Sequence, residues 1–163
     1  MRHAIAEERD ATRWPVDALR PLTADGAERF RRAARGLRRI VPAVELVLAS
    51  PYARAWQTGE LLHEEAGWPL PEQCPELAAH RTAADALDTL ARHVTRESVV
   101  LVGHEPNLSL LASLLLAGDA SAVPVEFKKG GVMALVVPGA PAPGSALLSW
   151  SATPKLLRAL RAG

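Results

Sequence analysis

Val99-Val100-Leu101-Val102-Gly103-His104-Glu105-Pro106-Asn107 decides how this chain folds. The apolar run, counted from Ser98, predicts a strand over 98–102 that is buried on both faces. Gly103-His104 turns the chain, and Glu105-Pro106 opens a helix that runs to about Leu116. Leu46-Val47-Leu48-Ala49-Ser50-Pro51-Tyr52-Ala53-Arg54-Ala55-Trp56-Gln57-Thr58 repeats the pattern. Glu45–Ala49 reads as a strand, Ser50 as a helix N-cap and Pro51 as the first helical position, with the helix reaching about Ala66. Two strand–turn–helix units predict an α/β protein with an open sheet. In such sheets ligands bind beyond the carboxyl ends of the strands. The amino-terminal Met1-Arg2-His3-Ala4 then gains meaning, because Arg2, His3, Arg54 and His104 converge at one sheet edge. Two arginines and two histidines around one point form a cradle for a phosphoryl group.

The remaining segments fit around this pattern. Residues 4–22 are polar, carry Pro15 and Pro21 and show no period, so they read as a loop lining the site. Thr23 caps a helix whose apolar stripe is Ala27, Phe30, Ala34, Leu37 and Ile40 or Val41, with Gly36 as a mild break and Pro42 as the stop. The arginines between them read as a solvated face, since no interleaved aromatics or net charge favour nucleic acid. Gly67–Pro75 is a loop, and a short strand is expected over Cys74–Ala78. Thr82 caps a helix to about Val94. Val132–Val137 and Ala146–Trp150 read as strands joined by a Pro/Gly-rich turn, and Pro154–Leu160 as a terminal amphipathic helix.

Composition narrows the class. The 163 residues suggest one domain spanning 1–163, and 48% hydrophobic residues supply a sizeable core. A formal charge of +1 offers no basic field for nucleic acid or an anionic membrane. The longest apolar run, Leu108–Ala117, is about half a membrane span. Arg2–Arg13 is too polar for a signal peptide. The lone Cys74 permits no internal disulfide and reads as an inert thiol in a reducing, cytoplasmic setting.

The four site residues can carry a reaction. Phosphoryl transfer to a side chain needs an unprotonated nucleophile and fixed donors for the spread negative charge. The charges of Arg2 and Arg54 favour a neutral His3, which attacks phosphorus and becomes phosphohistidine. Arg2, Arg54 and His104 hold the oxygens, and water ends the cycle. His63, His80 and His93 read as ordinary structural or surface histidines. The histidines have no metal-ligand spacing.

Arg2-His3-Ala4, Ser50-Pro51 with Arg54-Ala55 and Gln57-Thr58, and Gly103-His104-Glu105-Pro106, in this order, resemble the histidine phosphatase superfamily, the phosphoglycerate-mutase-like fold. Arg20-Pro21-Leu22-Thr23-Ala24-Asp25-Gly26, Phe127-Lys128-Lys129-Gly130-Gly131-Val132 and the short chain are similar to its SixA branch, described as phosphohistidine phosphatases. The resemblance implies a three-layer α/β/α open sheet. It implies His3 as the phosphorylated nucleophile, Arg2, Arg54 and His104 as the rest of the phosphate pocket, and no metal or organic cofactor. The implied partner is a phosphorylated protein or a small phosphorylated metabolite.

The chain departs from the family pattern twice. The family begins with an apolar strand that delivers the Arg-His pair to the centre of the sheet, and no such strand precedes Met1 here. The expectations are unpaired sheet edges, a frayed His3 next to the charged α-amine, and low stability or activity. Relatives that cleave phosphate esters carry an acidic proton donor in the middle of the chain. Glu76 fits that place poorly, and Glu105 is the other candidate. SixA-like members lack the acid, which suits an imidazole leaving group. Three readings stay open: a phosphohistidine phosphatase, a small-molecule phosphomonoesterase, and a non-catalytic phosphate-binding protein.

Overall fold

Strand β1 (Leu46–Ala49) is buried along its whole length, and its side chains divide between two cores. Val47 and Ala49 join Phe30, Ala34, Leu37, Leu62 and Leu157 on one face. Leu46 and Leu48 join Leu101, Ala86, Leu111 and Leu115 on the other. The period of two along one strand therefore builds a three-layer α/β/α arrangement. Residues 1–160 are described by this computed structural model; the last three residues of the domain expected over 1–163 lie outside them.

Strands β2 (Glu72–Gln73), β1 and β3 (Val99–Val102) form a parallel sheet in the order β2-β1-β3. Strands β4 (Val132–Val136) and β5 (Leu147–Ala152) form a separate antiparallel pair. One face of the parallel sheet carries α1 (Ala24–Ile40), α2 (Ala53–Ala66) and α5 (Pro154–Ala159). The other carries α3 (Ala83–Arg92) and α4 (Asn107–Ala117). Thr23 caps α1 by accepting from Gly26 N. Thr82 and Asp85 close a reciprocal capping box at the start of α3.

Two local expectations are corrected. Cys74–Ala78 is not a strand: Pro75–Leu77 forms a 3₁₀ turn, and the strand is the two residues before Cys74. Proline at the start of that turn removes an N–H that a ladder needs. Ser50 is not the cap of α2, which begins at Ala53 after Tyr52. Its hydroxyl is fully buried and lies 2.8 Å from His104 Nε2, a tertiary bond that outcompetes the local capping role.

The amino terminus also differs from expectation. Met1 is 6% exposed, and its amine donates to Leu101 O at 2.8 Å. Gly103 N donates to Met1 O, and His3 N donates to Gly103 O. Arg2 N donates to Gly131 O, and Gly130 N reaches the carbonyls of Arg2 and His3. Met1–His3 is thus stitched between β3 and the start of β4 rather than frayed. Burial in an apolar surrounding pushes the α-amine down to about 5, against a smaller upward pull from Glu105.

Gly36 is more than a mild break in α1. A Cβ at this position would overlap the carbonyl of Leu157, so the glycine is what lets α5 lie directly on α1. Gly36→Ala is therefore expected to destabilise by about 1–3 kcal/mol through overpacking, read as a drop of roughly 5–10 °C in Tm. An unchanged Tm would show that α5 moves aside freely.

Candidate active site

The site lies at the carboxyl end of β1 and β3, where Ser50 and Gly103-His104 follow the strands. His3 is 6% exposed and His104 3% exposed. Their rings stand 5.2 Å apart at a tilt of 55°. His3 Nδ1 lies 2.7 Å from the carbonyl of Ala4. A carbonyl only accepts, so Nδ1 carries the proton and Nε2 keeps its lone pair. Burial pushes His3 down to about 3; the Ala4 carbonyl opposes this, and Arg54, Arg2 and Arg20 push further down. His104 is pushed to about 3 first by burial, then by His3 and Arg54. Both rings are neutral at pH 7.

Arg54 is 4% exposed on the first turn of α2. Its Nη1 donates to Asp17 O at 2.9 Å, its Nη2 to Asp17 Oδ2 at 3.0 Å, and its Cζ stands 5.0 Å above the Tyr52 ring. Arg2 Nη1 donates to Phe127 O at 2.7 Å. Three buried nitrogens of the cluster have no protein partner: Arg2 Nε, Arg54 Nε and His104 Nδ1. Among the described residues only five buried side-chain atoms are unpartnered in this way, so three of the five gather on these residues. Buried donors without acceptors are costly, and a concentration of them marks a place for an anion.

The sequence motifs now have structural reasons. Thr58 Oγ1 accepts from Ala4 N and donates to Arg54 O, joining the Arg-His segment to α2. Gln57 Oε1 accepts from Leu22 N and anchors the 4–22 loop. A Cβ on Gly26 would overlap Ile5 O, so α1 can start against this loop only with glycine there. The 127–131 segment supplies the Phe127 and Gly130 groups that hold Arg2 and His3.

Asp17 and Arg20 belong to this cluster; Asp17 was not singled out in the sequence, and Arg20 appeared there only as the first residue of the Arg20–Gly26 stretch, with no role in the site. They flank a 3₁₀ turn, Asp17–Leu19, inside the polar loop. Arg20 Nε donates to Asp17 Oδ1 at 2.9 Å, so Asp17 sits between Arg20 and Arg54. Burial alone would raise the Asp17 carboxyl, but the hydrogen bonds and charges of Arg20 and Arg54 hold it below the usual carboxylate range. For Asp17 the sequence signal was the Asp-x-x-Arg spacing, which is common on surfaces.

The two acid candidates are engaged elsewhere. Glu76 pairs with Arg92 at 2.8 Å and accepts from Cys74 Sγ at 3.4 Å. Hydrogen bonding to its own backbone N–H, helped by Cys74 and Arg92, keeps its carboxyl ionised. Glu105 accepts from Ser109 Oγ at 2.6 Å and from Phe127 N at 3.3 Å, tying the 127–131 segment to α4. The thiol of Cys74 is pushed up by burial, in keeping with an inert cysteine. Among the described residues no group of acids, histidines and cysteines has the arrangement of a metal site, and no helix is long and apolar enough to cross a membrane.

Two arginines and two neutral histidines, with three unpartnered buried nitrogens, gather at the carboxyl edge of a three-layer α/β sheet, an arrangement suited to an anion. The comparisons place the chain more closely. The family model "Histidine phosphatase superfamily (branch 1)" matches residues 1–78. A protein of Picosynechococcus, itself uncharacterised, is 32% identical over 136 residues, covering 82% of this chain and 81% of its own. The solved structure of the protein histidine phosphatase SixA complexed with tungstate superposes with a TM-score of 0.82 at 27% identity, covering 96% of each chain. A Nakamurella multipartitia structure classed with SixA follows at 0.76 and 27%, covering 94% of this chain and 93% of its own. The chain belongs to the histidine phosphatase superfamily, in a SixA-like form.

The two buried histidines make a prediction about stability. Their folded pKa values lie below the unfolded value near 6.5, so the unfolded state binds more protons in acid. Their contribution is fully present above pH 6.5 and is lost as pH falls towards 3. Between pH 6.5 and 4.5 stability should fall by about 1.4 kcal/mol per pH unit for each histidine. His104→Gln should remove one proton from that slope in a series of melts against pH; a slope unchanged by the substitution would place the titration elsewhere.

Proposed function

We propose that the protein removes the phosphoryl group from phosphohistidine of a protein partner, through a phosphohistidine intermediate on His3. The observation that carries this reading is the gathering of unpartnered Arg2, Arg54 and His104 nitrogens around a histidine held with Nδ1 protonated. His3 Nε2 attacks phosphorus along the line of the breaking P–N bond. A substrate ring protonated on its other nitrogen leaves as neutral imidazole, so no acid is needed. Arg2 and Arg54, with His104 Nδ1–H, hold the phosphoryl oxygens while charge spreads over them. Water then attacks the phosphoryl group on His3, the new P–N bond breaks, and phosphate leaves with His3 neutral again. Support comes also from the likeness to SixA, solved with tungstate, a phosphate-like oxyanion.

The engagement of Glu76 and Glu105 favours a P–N substrate over an alkyl phosphate, whose alkoxide needs a proton to leave. The test is covalent trapping. The protein is incubated with a histidine-phosphorylated protein or phosphoramidate, quenched in alkali and mapped by mass spectrometry. Acid-labile phosphate on His3, absent in His3→Ala, is the expected result. Phosphate binding with no trapped intermediate would leave a non-catalytic binding protein. Fast turnover of alkyl phosphates that is lost in Glu76→Gln or Glu105→Gln would move the assignment to a phosphomonoesterase.

A further inference from the structure

His3 and His104 are held from opposite ends. At His3 the clamp is the Ala4 carbonyl against Nδ1, and a carbonyl only accepts. At His104 it is a hydroxyl, Ser50 Oγ, 2.8 Å from Nε2, and a hydroxyl can donate or accept. The direction of that one bond decides which nitrogen of His104 carries the proton. We propose that Ser50 is a positioning residue: it donates its proton to His104 Nε2, which puts the ring proton on Nδ1 and makes His104 a hydrogen-bond donor to the phosphoryl group.

The surroundings of Ser50 set the direction. Ser50 is fully buried. Its Oγ already accepts from Tyr52 N at 3.3 Å. Among the described residues the other polar partner of Oγ is His104 Nε2, which is therefore the acceptor for the hydroxyl proton. With the ring proton on Nε2 instead, Nε2–H and Tyr52 N–H would both point at Oγ. The hydroxyl proton would then be buried with no acceptor, and a stranded buried donor is costly. The far side of the ring gives the same answer. Nδ1 is buried without a protein partner, as are Arg2 Nε and Arg54 Nε. A bare lone pair at Nδ1 would repel the anion that the guanidinium groups attract, whereas an N–H there joins them.

Ser50 is itself fixed by the sheet. Ala49 pairs with Val102 across β1 and β3, and Ser50 N donates to Val102 O. Serine and histidine thus leave neighbouring strands at the same level, which brings Oγ to Nε2. The Tyr52 ring stands edge-on to His104 at 5.1 Å and closes a further side of the imidazole. His3 and His104 therefore share one tautomer but turn opposite ends to the substrate, a lone pair from His3 and an N–H from His104. Two adjacent neutral imidazoles become nucleophile and donor through the group that clamps each.

The phosphoryl group as target rests on the function proposed above; the tautomer does not, and it is measured first. In protein labelled with ¹⁵N-histidine, two-bond proton–nitrogen spectra at pH 7 are assigned through the backbone of His104. They are expected to show its Nδ1 protonated and its Nε2 bare. Ser50→Ala should lose that preference and give a mixture of both tautomers. Ser50→Thr, which keeps the hydroxyl, should retain it. Affinity for inorganic phosphate should fall about tenfold in Ser50→Ala. Added to His104→Ala, Ser50→Ala should weaken phosphate no further, because Ser50 acts through His104. A wild-type spectrum with the proton on Nε2 would overturn the proposal whether or not the variants fold. So would a tautomer that Ser50→Ala leaves unchanged, or an equal loss of phosphate affinity with and without His104. Neither readout requires turnover, so a failure of phosphohistidine hydrolysis is told apart from a failure here.

Discussion

His3→Ala is expected to reduce turnover of a phosphohistidine substrate by a factor on the order of 10⁴ or more. The size follows from what the ring supplies. In the proposed reaction its Nε2 forms the covalent bond, and Nδ1 is held against Ala4 O, which leaves the lone pair on Nε2. Arg2, Arg54 and His104 remain in the variant, so phosphate affinity should change little while covalent trapping vanishes. The variant should be somewhat less stable at neutral pH, because it empties a buried site and loses the bond to Ala4 O, so its melting is measured alongside. Added imidazole diffusing into the space left should recover part of the turnover as phosphoimidazole, a product that wild-type protein does not form. Combining His3→Ala with Arg54→Ala should lose little more than His3→Ala alone, since the two act on one step. Rapid-quench kinetics with and without imidazole checks all of this. Undiminished turnover in His3→Ala would remove His3 from the reaction.

Much of this arrangement was legible before the structure, for identifiable reasons. Val99–Val102 is apolar on both faces because it packs against a core on each side of the sheet, Val100 and Val102 on one and Val99 and Leu101 on the other, although it pairs only with β1 and its first two residues are half-buried. Arg54 and Thr58 were visible as neighbours one helical turn apart, and Thr58 Oγ1 does bond Arg54 O. What failed was decided by contacts distant in sequence. Ser50-Pro51 satisfies every local rule for a helix start, yet His104, 54 residues away, takes the serine hydroxyl. Glu72–Gln73 is too short to show any period. Asp17 and Arg20 sit in an aperiodic loop, and only the fold brings Arg54 against them. The amino terminus was expected to fray because no apolar strand precedes Met1; Met1–His3 are held by partners near Gly103 and Gly130 that no local pattern announces.

Asp17 makes the second large effect informative. Arg54→Ala removes a guanidinium proposed to hold a phosphoryl oxygen, and loss of one such donor typically costs 10²–10³ in rate. Here it does more, because the Asp17 carboxylate loses its buried arginine partner, keeps only Arg20 at 2.9 Å and the exposed Arg9 at 3.8 Å, and turns its charge on the incoming phosphate. The expected loss is therefore at the upper end, roughly 10³-fold in kcat/KM, with weaker phosphate binding. Asp17→Asn alone frees the Arg54 fork from a competing anion but also loosens it, so its effect should be small. The double variant decides the matter. If Asp17 only supports Arg54, removing it adds nothing to Arg54→Ala. If its unpaired charge repels substrate, Arg54→Ala with Asp17→Asn should recover about tenfold over Arg54→Ala. Phosphate affinity, measured alongside, should recover in parallel, and the recovery should shrink at high salt as the repulsion is screened. A double variant no better than Arg54→Ala at low salt would make Asp17 a scaffold for Arg54 and Arg20 alone.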